Sequence, residues 1–282
     1  MEDAIVAMLN ALSGAAAGGT DDLLKTPGEY NTALYVAAVT IHNTAVKPIT
    51  AVILSIMFVL MLASTSTRVE GDRELGVRII AATMFKCVMV LVVARYSASI
   101  LSAINSVSST IATTANDVSV GGAADVGSNI GDAMRDDIAD AGMVKQLGML
   151  VILLIPFIVA EISGMLATVL VFVRFLQLYM LTAFSSLPLA FFGHEDTKPL
   201  AIGYLKRYAT TSLQGVMLII AVKLYQALLG GWLGNHVSYD GETTDMWNFV
   251  ISNFGNFLIA PAVLIFLLFG ANSIAKAIVG EG

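Results

Sequence analysis

The chain has 282 residues, of which 57% are hydrophobic and only 13% charged, and it carries a net charge of −6. Soluble domains hold about a quarter of their residues as charged side chains, so this composition excludes an ordinary soluble enzyme. The acid is concentrated: Asp117, Asp125, Asp132, Asp136, Asp137 and Asp140 crowd one stretch opposed by Arg135, which argues against a nucleic-acid-binding surface there.

Residues 2–13 place Ile5, Leu9 and Leu12 at helical spacing, which predicts a short amphipathic helix lying at an interface. The terminus has no basic n-region and is broken by glycines from Gly14 on, so an uncleaved protein is expected. Thr20 or Asp21 caps a short turn before Pro27-Gly28, and from Tyr30 helix resumes until Lys47-Pro48 ends or kinks it. Residues 1–46 thus form an outer, interfacial N-terminal region.

Five apolar stretches follow: Ile49 to Thr65, Val77 to Ser97, Gln146 to Val173, Ala209 to Gly231 and Ile251 to Ala271. At a rise of about 1.5 Å per residue, some 20 residues span the roughly 30 Å hydrocarbon core, and each stretch is near or above that length. In lipid every backbone polar group must be bonded within its own helix or in a closed barrel, and barrel-strand alternation is missing. The expected fold is all-α, a polytopic transmembrane helical bundle of about five crossings.

Basic residues near the span ends give the orientation. Arg68, Arg73 and Arg78 follow the first of two spans in 47–97, and Lys198, Lys206 and Arg207 mark 193–208, so both connections are expected to be cytoplasmic. The acidic stretches 98–145 and 235–247 are then outside, with the N-terminus outside and the C-terminus in the cytoplasm. This parity leaves room for one crossing between 145 and 193. Within the C-terminal bundle 146–282, residues 174–192, holding Arg174, Ser185, Ser186 and Pro188, are therefore expected to be a re-entrant or interfacial segment.

The outer segment 98–145 repeats Ile100, Ile104, Val107 and Ile111, then Ile130, Met134 and Ile138, at three and four residues. Two amphipathic helices joined at Gly121-Gly122 are expected. Stripes this narrow need another surface, which a neighbouring copy, another subunit or the same chain could supply; these seven residues are expected to make the contact between copies.

Three ionisable residues lie near mid-span: Lys86, Glu161 and Lys223. A charge there costs roughly 2.5–3.5 kcal/mol on insertion scales, so it normally meets a partner, a cavity or an interface. A register-fixing pair of Glu161 with Lys86 or Lys223 is one reading, and a polar pore lining or proton path is another. Enzyme signatures are missing: there is no phosphate-binding Walker loop and no zinc-protease motif. His42, His194 and His236 stand at no ligand spacing, and the sole cysteine, Cys87, allows neither a disulfide nor a thiolate cluster. Neither a metal, a cofactor nor catalysis is expected.

From Arg174 the sequence reads Arg174-Phe-Leu-Gln-Leu-Tyr-Met-Leu-Thr-Ala-Phe-Ser-Ser-Leu-Pro188-Leu-Ala-Phe-Phe-Gly193. Tyr204-Leu-Lys206-Arg-Tyr and Leu213-Gln214-Gly215 follow. This resembles the TrbL/VirB-six family, the polytopic channel subunits of type IV secretion (conjugation) systems of bacteria. The resemblance implies an inner-membrane channel or scaffold subunit forming a homo-oligomeric ring, a pentamer. The ring would be a conduit for a relaxase-bound single DNA strand or a protein, working with other secretion-system subunits, ATPases and membrane lipid. A small-solute or ion transporter is the alternative, because broken helices such as that around Pro188 often line substrate sites. No internal repeat relates the first spans to the last.

Overall fold

The computed structural model describes residues 1–14, 20–66, 73–118, 130–236 and 245–281. The proposed hinge Gly121-Gly122 and the charged loop residues Arg68, Asp240 and Glu242 lie outside them. Among the described residues every regular element is helical. In chain order these are α1 (Glu2–Gly14), α2 (Thr20–Leu24), α3 (Pro27–Tyr30), α4 (Thr32–Ile41), α5 (Lys47–Ser66), α6 (Arg73–Arg95), α7 (Ser97–Asp117), α8 (Ile130–Ala133), α9 (Arg135–Asp140), α10 (Met143–Ala183), α11 (Ser186–Ala190), α12 (Lys198–His236) and α13 (Met246–Val279). Five stretches are long and apolar enough to cross a membrane: Thr32–Ser66, Gly76–Arg95, Met143–Ala183, Lys198–Leu228 and Met246–Val279. The chain is an all-α polytopic bundle.

Of the two outcomes expected at Lys47-Pro48, an end or a kink, the helix does not end: the five residues His42–Val46 widen into a π turn that joins α4 to α5. Proline lacks an N–H and crowds the carbonyl four residues back, and the wider turn relieves both. Helix also does not stop at Val173. It runs unbroken to Ala183, so Arg174 sits inside α10 rather than at the head of a separate segment. The break comes at Phe184 and Ser185, after which α11 and a 3-10 turn (Phe191–Gly193) lead to α12. Pro188 is tolerated in α11 because it falls in the first turn, where its missing N–H has no intrahelical partner anyway.

The chain divides into two compact units. The first comprises Met1–Leu24, Ile111–Val173 and Gln214–Ile274. There α1 buries Ile5, Val6, Leu9 and Leu12 and packs on α8 and α9, which bury Met134 and Ile138. Gly131 allows the close approach, since a Cβ there would collide with the Val6 carbonyl. Asn10 accepts from the Gly131 N–H at 2.8 Å and donates to Asp132, while Arg135 reaches Glu2, Asp3 and Asp132. Gly142, at φ +73°, turns the chain from α9 into α10. At the start of α10 Lys145 pairs with Asp245, and the ring of Trp247 lies against Gly148. Below, α10 buries Met149, Leu153, Ala160, Ser163, Ala167 and Val171, and α13 buries Phe249, Val250, Asn253, Phe257, Leu264 and Leu268. Both are seams at three- and four-residue spacing.

The second unit comprises Lys25–Thr110, Arg174–Leu213 and Ala275–Gly282. Glu29 accepts from the backbone N–H and hydroxyl of Thr26, and Asn31 caps α4 through the Leu34 N–H. The Thr26 bonds hold the Glu29 carboxyl below its ordinary value. α11 packs between α5 and α6, and Gly193 admits Met61, whose sulfur would lie 2.8 Å from a Cβ at that position. Lys206 donates to Gly280 O and Arg207 pairs with Glu281, tying the C-terminal residues to the early part of α12.

Candidate functional site: a buried polar seam

The second unit is threaded by polar side chains that hydropathy alone does not reveal. At one end Arg174 is buried, and its Nε and Nη2 groups donate to the carbonyls of Thr211 (3.2 Å) and Ser212 (3.3 Å). Its Nη1 has no hydrogen-bond partner among the described residues. The guanidinium lies 4.9 Å from the centre of the Phe175 ring, which stacks on Tyr30 at 3.9 Å. Ser212 donates to Asn105 of α7 at 3.1 Å, and the Tyr179 hydroxyl donates to Pro27 O at 2.7 Å. These contacts fix the break-bearing stretch against both the entry to α4 and the first turns of α7.

The seam continues at the helix break. Ser185 is fully buried, 3.1 Å from the Ser97 hydroxyl and 3.4 Å from His42 Nδ1, and Nδ1 also approaches Ala183 O at 3.2 Å. Ser186 meets Thr50 at 2.8 Å. The π turn begins at His42 and brings its ring inward. A serine beside a histidine suggests a nucleophile and its base, but the geometry opposes it. A ring nitrogen facing a carbonyl oxygen must carry the proton, so Nδ1 donates to Ala183 O and cannot withdraw a proton from Ser185. The pair ties helices together. Hydrogen bonds of this kind satisfy polar groups in a medium without water.

Of the residues singled out in the sequence, Ser185 and Ser186 join this seam, and Arg174 anchors its far end. Pro188 shapes α11 and makes no polar link. His42, Ser97 and Thr50 belong to it equally, but their partners lie 136 to 143 positions or 88 positions away, so local spacing reveals none of these links. Lys47-Pro48, next to the π turn, is the one local signal.

Of the mid-span charges, Lys86 belongs to the second unit and Glu161 and Lys223 to the first. Glu161 and Lys223 share the first unit but form no ion pair among the described residues. Glu161 lies on the exposed face of α10 between Ile158, Ile162 and Met165, opposite the buried seam, and Lys223 is half-buried on α12. Lys86 lies exposed on α6, on the wall of a polar cavity near the end of α5. Helical phase decides this: Glu161 follows Ala160 and precedes Ser163, both on the packed stripe, and so points away from it.

The outer stripes differ in the same way. Met134 and Ile138 are buried within the protomer against α1, so they are not available to a neighbour; the side chain of Ile130 lies outside the description. On α7 the buried residues are Ser97, Leu101, Asn105, Ser108 and Ala112, whereas Val107 (62%) and Ile111 (43%) are exposed and Ile100 and Ile104 are half-buried. No group of three or more His, Cys, Asp or Glu among the described residues is placed to hold a metal ion.

Residues 15–186 match the family described as TrbL/VirB6 plasmid conjugal transfer like protein. The chain belongs to this family. The match covers more than half of it and includes the first two long apolar helices, segment 98–145, α10 and the helix break. It overlaps the stretch that carried the resemblance in sequence only from Arg174 to Ser186. No curated protein and no solved structure matches the chain significantly. Family and helices together make this a multi-pass bacterial membrane protein, a subunit of conjugative type IV secretion machinery that works with the other subunits of such a system.

Proposed function

We propose that this TrbL/VirB6-family subunit acts as a homo-oligomeric channel and scaffold, copies of it closing a conduit through which the machine passes a relaxase-bound single DNA strand or a protein. The observation that carries this reading is Glu161. Its carboxylate stands on an outward, otherwise apolar helix face and has no ion pair among the described residues, a placement that costs roughly 2.5–3.5 kcal/mol against lipid. A neighbouring copy or a water-filled axis removes that cost. The exposed Val107 and Ile111 offer a neighbouring copy an apolar surface to cover. A pentameric ring powered by separate ATPases is the assembly the family resemblance implies. Catalysis by the chain itself has no support in the seam.

The N-terminus is outside and the C-terminus cytoplasmic in this reading. Arg135 holds α1 beside the acidic outer segment, Lys145 and Asp245 bring the starts of α10 and α13 to one level, and Lys206 meets the C-terminal residues. These pairings support five crossings with the basic 193–208 connection inside.

Counting subunits in mild detergent, together with plasmid transfer, tests the proposal. The wild type should form a closed ring, and Glu161→Leu should abolish transfer and lower the subunit count while still inserting in the membrane. A monomeric wild type, or full transfer by Glu161→Leu, overturns it.

A further inference from the structure

A polar cavity of about 230 Å³ opens in the second unit where α5 ends. Its wall is Ser64 and Thr65 of α5, Thr83 and Lys86 of α6, and His194, Glu195 and Asp196 of the turn that follows α11. Next to it, an apolar groove of about 550 Å³ runs between α5 and α6, lined by residues such as Leu54, Met57, Phe58, Cys87, Val88 and Leu91. The groove is within the 300–1,000 Å³ range of small-ligand sites. Met61 belongs to both walls, held between Gly193 and the Cys87 sulfur 3.7 Å away, and its unbranched side chain is the only described residue the two linings share. A charged chamber and an apolar trough that adjoin across one methionine have the form of an amphiphile.

The charges say which amphiphile. Among the described residues Lys86 makes no ion pair and is the one lysine or arginine that lines the chamber. The hydroxyls of Thr65 and Thr83 lie 3.0 Å apart and also face the carbonyls of Met61 and Ile79, so their two protons are engaged within the protein and toward a ligand they accept. Glu195 and Asp196 add two carboxylates. One ammonium with a surplus of acceptors suits a headgroup bearing one phosphate and one N–H-donating cation. An anionic headgroup would add negative charge to that surplus. A quaternary ammonium would offer no N–H, and among the described residues no Phe, Tyr or Trp lines the chamber to receive it.

We propose that α5 and α6 hold one ordered phospholipid with a primary-amine zwitterionic headgroup, of the phosphatidylethanolamine type. Its phosphate lies on Lys86, its ammonium on Glu195 and Asp196, and one acyl chain passes Met61 into the groove. The lipid fastens the turn 194–197 to the α5–α6 pair, a role independent of whether the assembly is a conduit.

The test is native mass spectrometry of the full chain titrated with phosphatidylethanolamine, phosphatidylcholine or phosphatidylglycerol, with cross-linking by a phosphatidylethanolamine carrying a photoreactive acyl chain. One phosphatidylethanolamine should be retained in preference to the others, and the cross-links should concentrate between Met57 and Leu91. Lys86→Gln should weaken retention by about tenfold or more, the worth of a charge-assisted hydrogen bond, and Lys86→Arg should restore it, which separates lost binding from lost folding. Glu195→Gln with Asp196→Asn should turn the preference toward phosphatidylglycerol. Equal retention of all three lipids, or cross-links spread over the exposed faces of α10 and α13, overturns the proposal. So do Cys87–Cys87 cross-links between copies with no lipid retained, since a second copy then fills the groove.

Discussion

In the first unit Arg135 gathers Glu2, Asp3 and Asp132 at the surface to hold α1 over α8 and α9, whereas in the second unit Ser97, Ser185, His42, Thr50 and Ser186 join helices without a charge between them. The ion-pair cluster is the more conspicuous in sequence and the weaker in effect. Its members are exposed, so water competes for each of them and salt screens what remains. The hydroxyl seam is buried, where losing a partner leaves a group that nothing else solvates. α1 is held mainly by what lies beneath the ions: Ile5, Leu9, Met134 and Ile138, and the close approach that Gly131 permits.

Several substitutions break or sharpen that contrast. The largest effect is expected for Gly131→Leu, because the added atoms meet the backbone at Val6, which cannot rotate away. A loss at the upper end of about 1–3 kcal/mol should release α1, read as faster proteolysis of the N-terminal residues with the membrane helices intact. Unchanged protection would mean that α1 is not docked as described. Ser185→Ala comes next: it strands the buried Ser97 hydroxyl while His42 keeps Ala183 O, and about 1–2 kcal/mol should be lost from thermal stability in detergent. Smaller again is the direct coupling of Thr50 and Ser186. A double-mutant cycle with Thr50→Val and Ser186→Ala should give about 0.6–1.7 kcal/mol, and strictly additive losses would remove the bond from the account.

The exposed cluster should respond less. The three acids raise the Arg135 pKa further above its usual value, yet Arg135→Ala should cause a slight loss that disappears in high salt, and a salt-independent loss would place the cluster with the buried interactions. The smallest effect is expected at Asp245, whose carboxyl is held below its ordinary value first by Lys145 and then by the Trp247 N–H. A depressed carboxylate contributes fully above its unfolded value, about pH 4, and that contribution is lost as pH falls through the lower folded value. Trp247 fluorescence in a Trp232→Phe background should therefore change only on strong acidification, and Asp245→Asn should abolish the change. A transition near neutral pH would assign it to another group.

Much of the fold was legible in the sequence. Each of the five apolar runs lies in a long helix, since length and hydropathy are local properties and backbone bonding in lipid permits little else. The end of α10 was not legible. Arg174 looks like the edge of a span, but the carbonyls of Thr211 and Ser212 receive it, and those lie on another helix. The depth of Glu161 along its run followed from counting residues, while its direction depended on which stripe of α10 packs inward.

By itself, then, the sequence determined the helical class, the number of long apolar helices, the family resemblance and the residues with unusual charge or spacing, because each depends on neighbours within a few turns. The tertiary structure alone decided that Met134 and Ile138 pack on α1 while Val107 and Ile111 remain exposed. It alone joined His42, Ser97 and Ser185, and set Lys86 on the wall of a cavity beside Glu195 and Asp196. Each of these is a meeting of residues distant in sequence, and periodicity states which face of a helix seeks a partner without stating which partner fills it.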